Sequence, residues 1–502
     1  MDTTLRDGEQ TSGVSFSETE KLNIAKILLD EVKVDYLEVA SARVSDGELR
    51  GARKVIEWAM QAGYADKVEI LGFVDGGSSL EWIARAGGKV INLLTKGSLR
   101  HVTQQLRKTP EAHLADIKNS VKLAGEMGIR VNVYLEDWSN GMRNSPEYVH
   151  FMLDGMKSEN ISRVMLPDTL GILNPMETYQ FCKEMIDSFP TLKFDFHAHN
   201  DYDLAVANVD AALRAGINTI HTTINGLGER AGNAPLSSVV ALLNDHMKRP
   251  NSIVERKLNM VSRLVETFSG IRIPGNKPII GENVFTQCSG VHADGDNKDN
   301  LYYNDLLPER FGRTRKYALG KTSGKANIAK NLEEMGIRLD PENLKRVTDK
   351  VIELADKKES VTSEDLPYIL SDVLKSESIS EHITLKNYAI SHALGLRPMA
   401  TVSIDIDGAL YQEASSGDGQ YDAFMNALRK IYQKQNKPFP ALVDYVVTIP
   451  PGGKTDALVE TLITWKMGRE FKTRGLDPDQ TAAAIKATMK MLNFIENDNQ
   501  IF

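Results

Sequence analysis

Short runs of β-branched and aromatic residues alternate with helical stretches through about residue 250, and no other feature limits the fold as tightly. The runs fall at 35–40 (DYLEVA), 68–73, 90–94, 131–136, 163–168, 193–199 and 219–224, and the opening 2–5 (DTTL) makes eight. Strands of that length separated by helices form βα units around a parallel sheet. Helix starts are written into the spacers. Ser17 to Glu20 is a capping box, Thr109-Pro110 and Ser145-Pro146 put proline at the first helical position, and Pro175 and Pro235 open two more helices. Eight units in about 250 residues predict an α/β fold of the (β/α)₈ TIM barrel type. A doubly wound open sheet is the other fold such alternation builds, but its Gly-x-Gly-x-x-Gly turn is missing after the first strand.

A chain of 502 residues exceeds what one hydrophobic core organises, so further domains are expected. After the barrel, assigned to 1–272, the pattern turns to loops and Lys/Glu-rich helices, read as linker subdomains over 273–387. From 388 to 502 alternating strands return in two groups, each followed by a helix, which predicts an α+β domain built of two similar halves.

With 60 basic and 68 acidic residues the net charge is -8, which offers no electrostatic footprint for nucleic acid. No apolar run approaches a membrane span, and the opening Asp2, Arg6, Asp7 and Glu9 are unlike an export signal. Cys182 and Cys288 are too few for a disulfide framework and lack metal or redox spacing. These features point to a cytoplasmic protein with no nucleic-acid or membrane partner.

In a (β/α)₈ barrel the chemistry stands where strands end at the C-terminal face. Arg6 and Asp7, Glu136, Asp168 and Thr169, His197 and His199, and Asn233 all fall there. His197 and His199 are two apart on a strand, so both imidazoles face the same side. Two imidazoles with the Asp7 carboxylate suit Mn, Fe, Co or Zn, and an Asn233 amide oxygen with open positions also admits Mg. The bland reading, hydrogen-bonded histidines filling the barrel, stands beside this one.

DTTLRDGEQ (2–10), HAHND (197–201), NGLGERAGN (225–233) and GKTSGK (320–325) closely resemble the synthases that condense acetyl-CoA with a 2-oxo acid. That family includes the isopropylmalate, homocitrate and citramalate synthases. IPPGGKTDALVET (449–461) brings the chain nearest the citramalate group. The resemblance implies a divalent cation (Mn, Mg, Zn or Co) on Asp7, His197 and His199 with Asn233 nearby, and an Arg6 that polarises the keto group. It implies that His292 in VHADGD takes a proton from the acetyl methyl of the co-substrate acetyl-CoA, with Glu136 orienting it and Tyr302 completing the relay. The 291–296 segment would reach over the partner's barrel mouth in a homodimer.

Thr169 would bind the substrate carboxylate. Leu71, Leu94 and Tyr134 map to the positions that choose the 2-oxo acid; being bulky, they favour pyruvate over 2-oxoisovalerate. The expected activity is therefore citramalate synthesis for isoleucine, the alternative being 2-isopropylmalate synthesis for leucine. Residues 388–502 resemble the family's regulatory domain, where Tyr421, Asp422, Leu442, Tyr445 and Ile449 would hold a branched-chain amino acid. A plain sheet core with Asp422 capping a helix is the other reading. Barrel lyases, iron oxygenases and a non-catalytic amino-acid sensor are the competing functions. Relatives carry residues ahead of DTTLRDG, so either the natural start lies upstream or the first strand is cut to about five residues.

Overall fold

The computed structural model describes residues 1–289, 295, 301, 304–335, 337–356, 361, 365–366, 369–370, 373, 382–448 and 459–497. The chain forms two compact units, Met1–Phe285 with Asn304–Thr314, and Thr286–Tyr303 with Arg315–Phe502.

The first unit is built on seven parallel strands in sequential order: β1 (Leu37–Ser41), β2 (Val68–Phe73), β3 (Val90–Lys96), β4 (Arg130–Glu136), β5 (Ile161–Asp168), β6 (Phe194–Ala198) and β7 (Thr219–His221). The eighth expected strand, residues 2–5, is reduced to a bridge. Asp2 N–H donates to Tyr36 O and Glu38 N–H donates to Asp2 O, both at 2.9 Å. On the other side Thr3 N–H donates to Thr222 O at 2.9 Å and Thr222 N–H to Met1 O at 3.0 Å. The opening segment thus pairs with the strand at each end of the sheet, and the sheet closes through it. It turns away at once because Arg6, Asp7 and Gly8 all donate their N–H to Thr3 O.

The helices begin where the sequence places them. Ser17 and Glu20 form the reciprocal capping box, Thr109 caps Pro110–Glu126, and Asn174 caps Pro175–Ser188. Outward-facing Phe194, Phe196, Val133, Leu135, Val164 and Leu166 pack on helix residues such as Leu28, Val55, Ile83 and Leu153 in one core. The inward face is different. Glu38, Asn92, Asn132, Glu69, Arg163, Asp195, His221, Tyr134 and Arg6 form a closed ring of hydrogen bonds and ion pairs inside the barrel. Buried polar groups are costly unless partnered, and the ring gives every member a partner, leaving one oxygen each of Asn132 and Asp195 without.

In the second unit, β8 (Thr286–Gln287) pairs with β9 (Lys316–Tyr317), and helices Lys325–Glu334 and Pro341–Asp356 share a small core of Ile328, Leu332, Val347 and Val351. The two expected halves then follow. Antiparallel β10 (Ile383–Ser391), β11 (Met399–Ile406) and β12 (Ala409–Ser416) precede helix Gln420–Lys434. Antiparallel β13 (Ala441–Thr448), β14 (Val459–Met467) and β15 (Arg469–Asp477) precede helix Gln480–Asn497. Val402, Ile404, Phe424 and Leu428 of one half join Ile463, Trp465, Ile485 and Met491 of the other in one core. No described helix is long and apolar enough to cross a membrane.

Candidate active site

Asp7, His197 and His199 are buried and each offers one ligand atom within 4.8 Å of the others. Nε2 of His197 lies 3.0 Å, and Nε2 of His199 3.9 Å, from Asp7 Oδ2, and the two Nε2 atoms are 3.3 Å apart. Neither Asp7 oxygen accepts an aligned hydrogen bond. Buried lone pairs converging on one point in this way suit a cation among them. Burial, then the neighbouring His197, lowers His199 to about 4, so its ring is neutral at pH 7, the form that ligates a metal. Burial opposes the Asp7 charge, but Arg6, His197 and His199 outweigh it and hold the carboxyl well below its usual range. Nδ1 of each ring is buried without a partner, so His197 is oriented by packing edge-on to Tyr134 at 6.1 Å and to His221 at 5.5 Å.

Asn233 reaches the same place through a glycine loop. The loop 225–233 returns against the end of β6, where Asn233 bridges His199 and Asn200 N–H donates to Gly232 O at 2.9 Å. Asn233 Nδ2 donates to Leu227 O at 3.1 Å, leaving a buried Oδ1 with no partner. The path requires glycine at 232, where φ is +82° and a Cβ would stand 1.9 Å from Gly226 O.

Arg6 is held at two of its nitrogens, Nε by Glu38 at 2.5 Å and Nη2 by the Tyr134 hydroxyl at 3.2 Å, while Nη1 faces Asp7 at 3.5 Å. Burial works against its charge, but Glu38 and Asp7 outweigh it and raise its pKa. Tyr134 also packs with Leu71, Met165, Leu94, Met1 and Tyr36 in an apolar cluster distinct from the main core. The three positions expected to choose the 2-oxo acid are therefore brought together, and Met165 joins them. Thr169 Oγ1 accepts from Asp137 N–H at 2.9 Å, which leaves its own proton to donate. Glu136, at the end of β4, is ion-paired with Lys96 at the end of β3.

Residues 1–265 match the family model described as HMGL-like, 279–359 one described as homocitrate synthase post-HMGL domain-like, and 360–496 the LeuA allosteric (dimerisation) domain. The chain belongs to the HMGL-like family. Relatives include the (R)-citramalate synthase CimA of Methanocaldococcus jannaschii, 33% identical over 99% of each chain. The 2-isopropylmalate synthase of the same organism is 32% identical over 99% of this chain and 94% of that one. Within the HMGL-like family, this chain is thus an acyltransferase-type enzyme of the citramalate and isopropylmalate synthase group. Among solved structures, the HMG-CoA lyase of Bacillus subtilis is 20% identical, covering 54% of this chain and 94% of its own, with a TM-score of 0.47.

Two residues expected of the HMGL-like site, His292 and Tyr302, lie outside the described residues, as does Ile449 of the effector set. Tyr421 and Tyr445 do meet, with ring centroids 5.5 Å apart, and Tyr421 hydrogen-bonds Thr488 at 2.7 Å. Asp422 is engaged locally, accepting from Asp418 N–H at 3.0 Å and from Asn426 at 3.2 Å, and Leu442 is exposed. Sequence reading missed Glu38, Lys96 and His221 at the HMGL-like barrel. Lys96 carried a signal, since it is in phase with Asn92 and Leu94 on β3 and so faces inward with them. Glu38 was the charge inside the run DYLEVA, which Asp35 opens.

Proposed function

We propose that this protein condenses acetyl-CoA with pyruvate to give (R)-citramalate and CoA, feeding isoleucine synthesis in the cytoplasm. One observation carries the reading. Tyr134 puts its hydroxyl on Arg6, sets its ring perpendicular to that of His197, and belongs to an apolar cluster with Leu71, Leu94 and Met165. A carboxylate-and-keto head and a small apolar tail are thereby provided for side by side. A methyl fits a pocket so walled; an isopropyl meets overpacking that costs about 1–3 kcal/mol.

Asp7, His197 and His199, with the Asn233 amide oxygen, would hold a divalent cation, which when bound supplies a Lewis acid for the keto oxygen. Arg6 presents a fixed cationic fork to the same oxygens, preorganised by Glu38 and Tyr134. Thr169 donates its hydroxyl to the substrate carboxylate. His292 removes a proton from the acetyl methyl, oriented by Glu136, with Tyr302 completing the relay. The new carbanion forms a C–C bond to the keto carbon, the oxygen formed takes up a proton, and water then cleaves the thioester to release CoA. The division 1–272, 273–387 and 388–502 separates chemistry, linker and regulation. In a homodimer the 291–296 segment covers the partner's barrel mouth, and Tyr421, Asp422, Leu442, Tyr445 and Ile449 receive a branched-chain amino acid.

Thiol release from acetyl-CoA with a panel of 2-oxo acids tests the reading. Pyruvate should turn over fastest, and only with a divalent cation. Preference for 2-oxoisovalerate would favour the isopropylmalate reaction, in keeping with the relative that carries that name.

A further inference from the structure

One strand end at the barrel mouth belongs to a residue with no part in the proposed condensation. Lys96 ends β3 in register with Glu136 at the end of β4, and its ammonium group is ion-paired with Glu136 Oε2. It is only 8% exposed, unusual for a lysine. Its backbone is gripped from the helical layer by side chains. Lys96 N–H donates to Nε2 of the buried His113 at 3.2 Å, and Lys96 O accepts from the Tyr148 hydroxyl at 2.8 Å. On either side Thr95 donates to Tyr134 O at 2.7 Å and Gly97 N–H to Glu136 O at 2.6 Å. Gly97 cannot carry a side chain, since a Cβ would stand 2.4 Å from Leu135 O.

Burying a lysine costs more than burying an aliphatic chain of the same length, so packing alone does not account for it. Among the described residues, Lys96 is the side chain that holds the Glu136 carboxylate. With Oε2 tied down, Oε1 has no partner among the described residues and can accept from a donor arriving at the mouth.

We propose that Lys96 is a positioning residue that acts through Glu136, fixing one carboxylate oxygen so that the other is aimed at the proton-transfer machinery of the acetyl group. The inference rests on the condensation reading. Without Lys96 the Glu136 side chain, already 26% exposed, turns toward water and its charge is no longer placed.

The test is steady-state CoA release by the full-length protein as wild type, K96M, K96R, E136Q and K96M/E136Q, with K96Q as a second neutral variant and thermal unfolding of each. K96M should lower kcat by about 100-fold, the cost of misplacing a reacting group by roughly 1 Å, and leave KM for the 2-oxo acid within about twofold. K96R should recover part of the loss. In the E136Q background, K96M should cost less than about twofold, because the residue it serves is already disabled. An equal loss in both backgrounds, or a rise in KM with kcat intact, would overturn the proposal. Wild-type turnover, measured on the same preparation, tests the condensation reading by itself; its absence overturns both.

Discussion

The Tyr134 hydroxyl accepts a hydrogen bond from Arg6 Nη2 at 3.2 Å in the interior of the barrel. It also lies 3.1 Å from His221 Nδ1, and His221 Nε2 in turn lies 3.2 Å from Asp195. Burial holds His221 well below its usual pKa, so the ring is neutral. With Arg6 always a donor, the hydroxyl proton goes to His221 Nδ1 and the ring donates its Nε2 proton to Asp195. A residue of the apolar cluster therefore also aims the guanidinium.

Y134F should separate the two roles. It keeps the ring in the apolar cluster and removes the oxygen from a charged donor, an interaction worth about 1.5–3 kcal/mol. kcat/KM with pyruvate should fall roughly 10- to 100-fold, while the ratio of pyruvate to 2-oxobutyrate stays put. Y134A, by contrast, should shift that ratio toward the longer acid. Competition assays with paired substrates read both.

Metal binding should be visible without turnover. A divalent cation at about 100 times its Kd stabilises the protein that binds it by about 2.7 kcal/mol. Titrating Mn²⁺, Co²⁺, Zn²⁺ or Mg²⁺ into metal-stripped wild type should raise Tm, and H199A should lose the response. A wild type indifferent to all four ions would remove the metal from the scheme.

Glu69 sets a pH dependence of stability away from the proposed metal ligands. Burial pushes its carboxyl up to about 7 despite its ion pair with Arg163. The folded protein then binds this proton more tightly than the unfolded chain. The contribution is complete below the ordinary carboxyl pKa and is lost as pH rises to about 7. The loss amounts to about 3 kcal/mol, at 1.36 kcal/mol per pKa unit. E69Q should flatten the fall in urea-unfolding free energy between pH 5 and 7, because its amide has no proton to release while its carbonyl oxygen can still accept from Arg163. An unchanged slope would show that another group titrates there.

G232A should damage the proposed metal site from a distance. A side chain there is strained by the positive φ and collides with Gly226 O. Relief requires the loop to move, and Asn233 is the next residue. Tm should drop, and the cation concentration giving half of the thermal shift should rise about tenfold. A variant with a lower Tm but wild-type cation affinity would place Asn233 outside the site.

Much of the site was legible because strand alternation and the C-terminal rim rule act locally. Knowing that His197 and His199 share a face requires only a period of two, and Asp7 and Asn233 followed from their places after strands. Closure of the sheet by residues 2–5 was legible as the first of eight strands; its reduction to a bridge at Asp2 between residues 36–38 and 222 was not, because that pairing is long-range. The ring from Arg6 round to Tyr134 draws on all seven strands and the opening segment, so none of its contacts is near in sequence.

The amino-acid order alone determined the βα alternation, the helix starts at Ser17, Thr109 and Pro175, the pair of repeated halves near the C-terminus, and which residues stand at the strand ends. These depend on hydrophobic period, proline and capping chemistry within a few residues of each other. Only the tertiary structure decided which inward side chains come together: Lys96 with Glu136, Tyr134 with Arg6, and Met165 with Leu71 in the cluster that holds Tyr134. Register between neighbouring strands and the curvature of the closed sheet set those distances, and both are properties of the whole barrel.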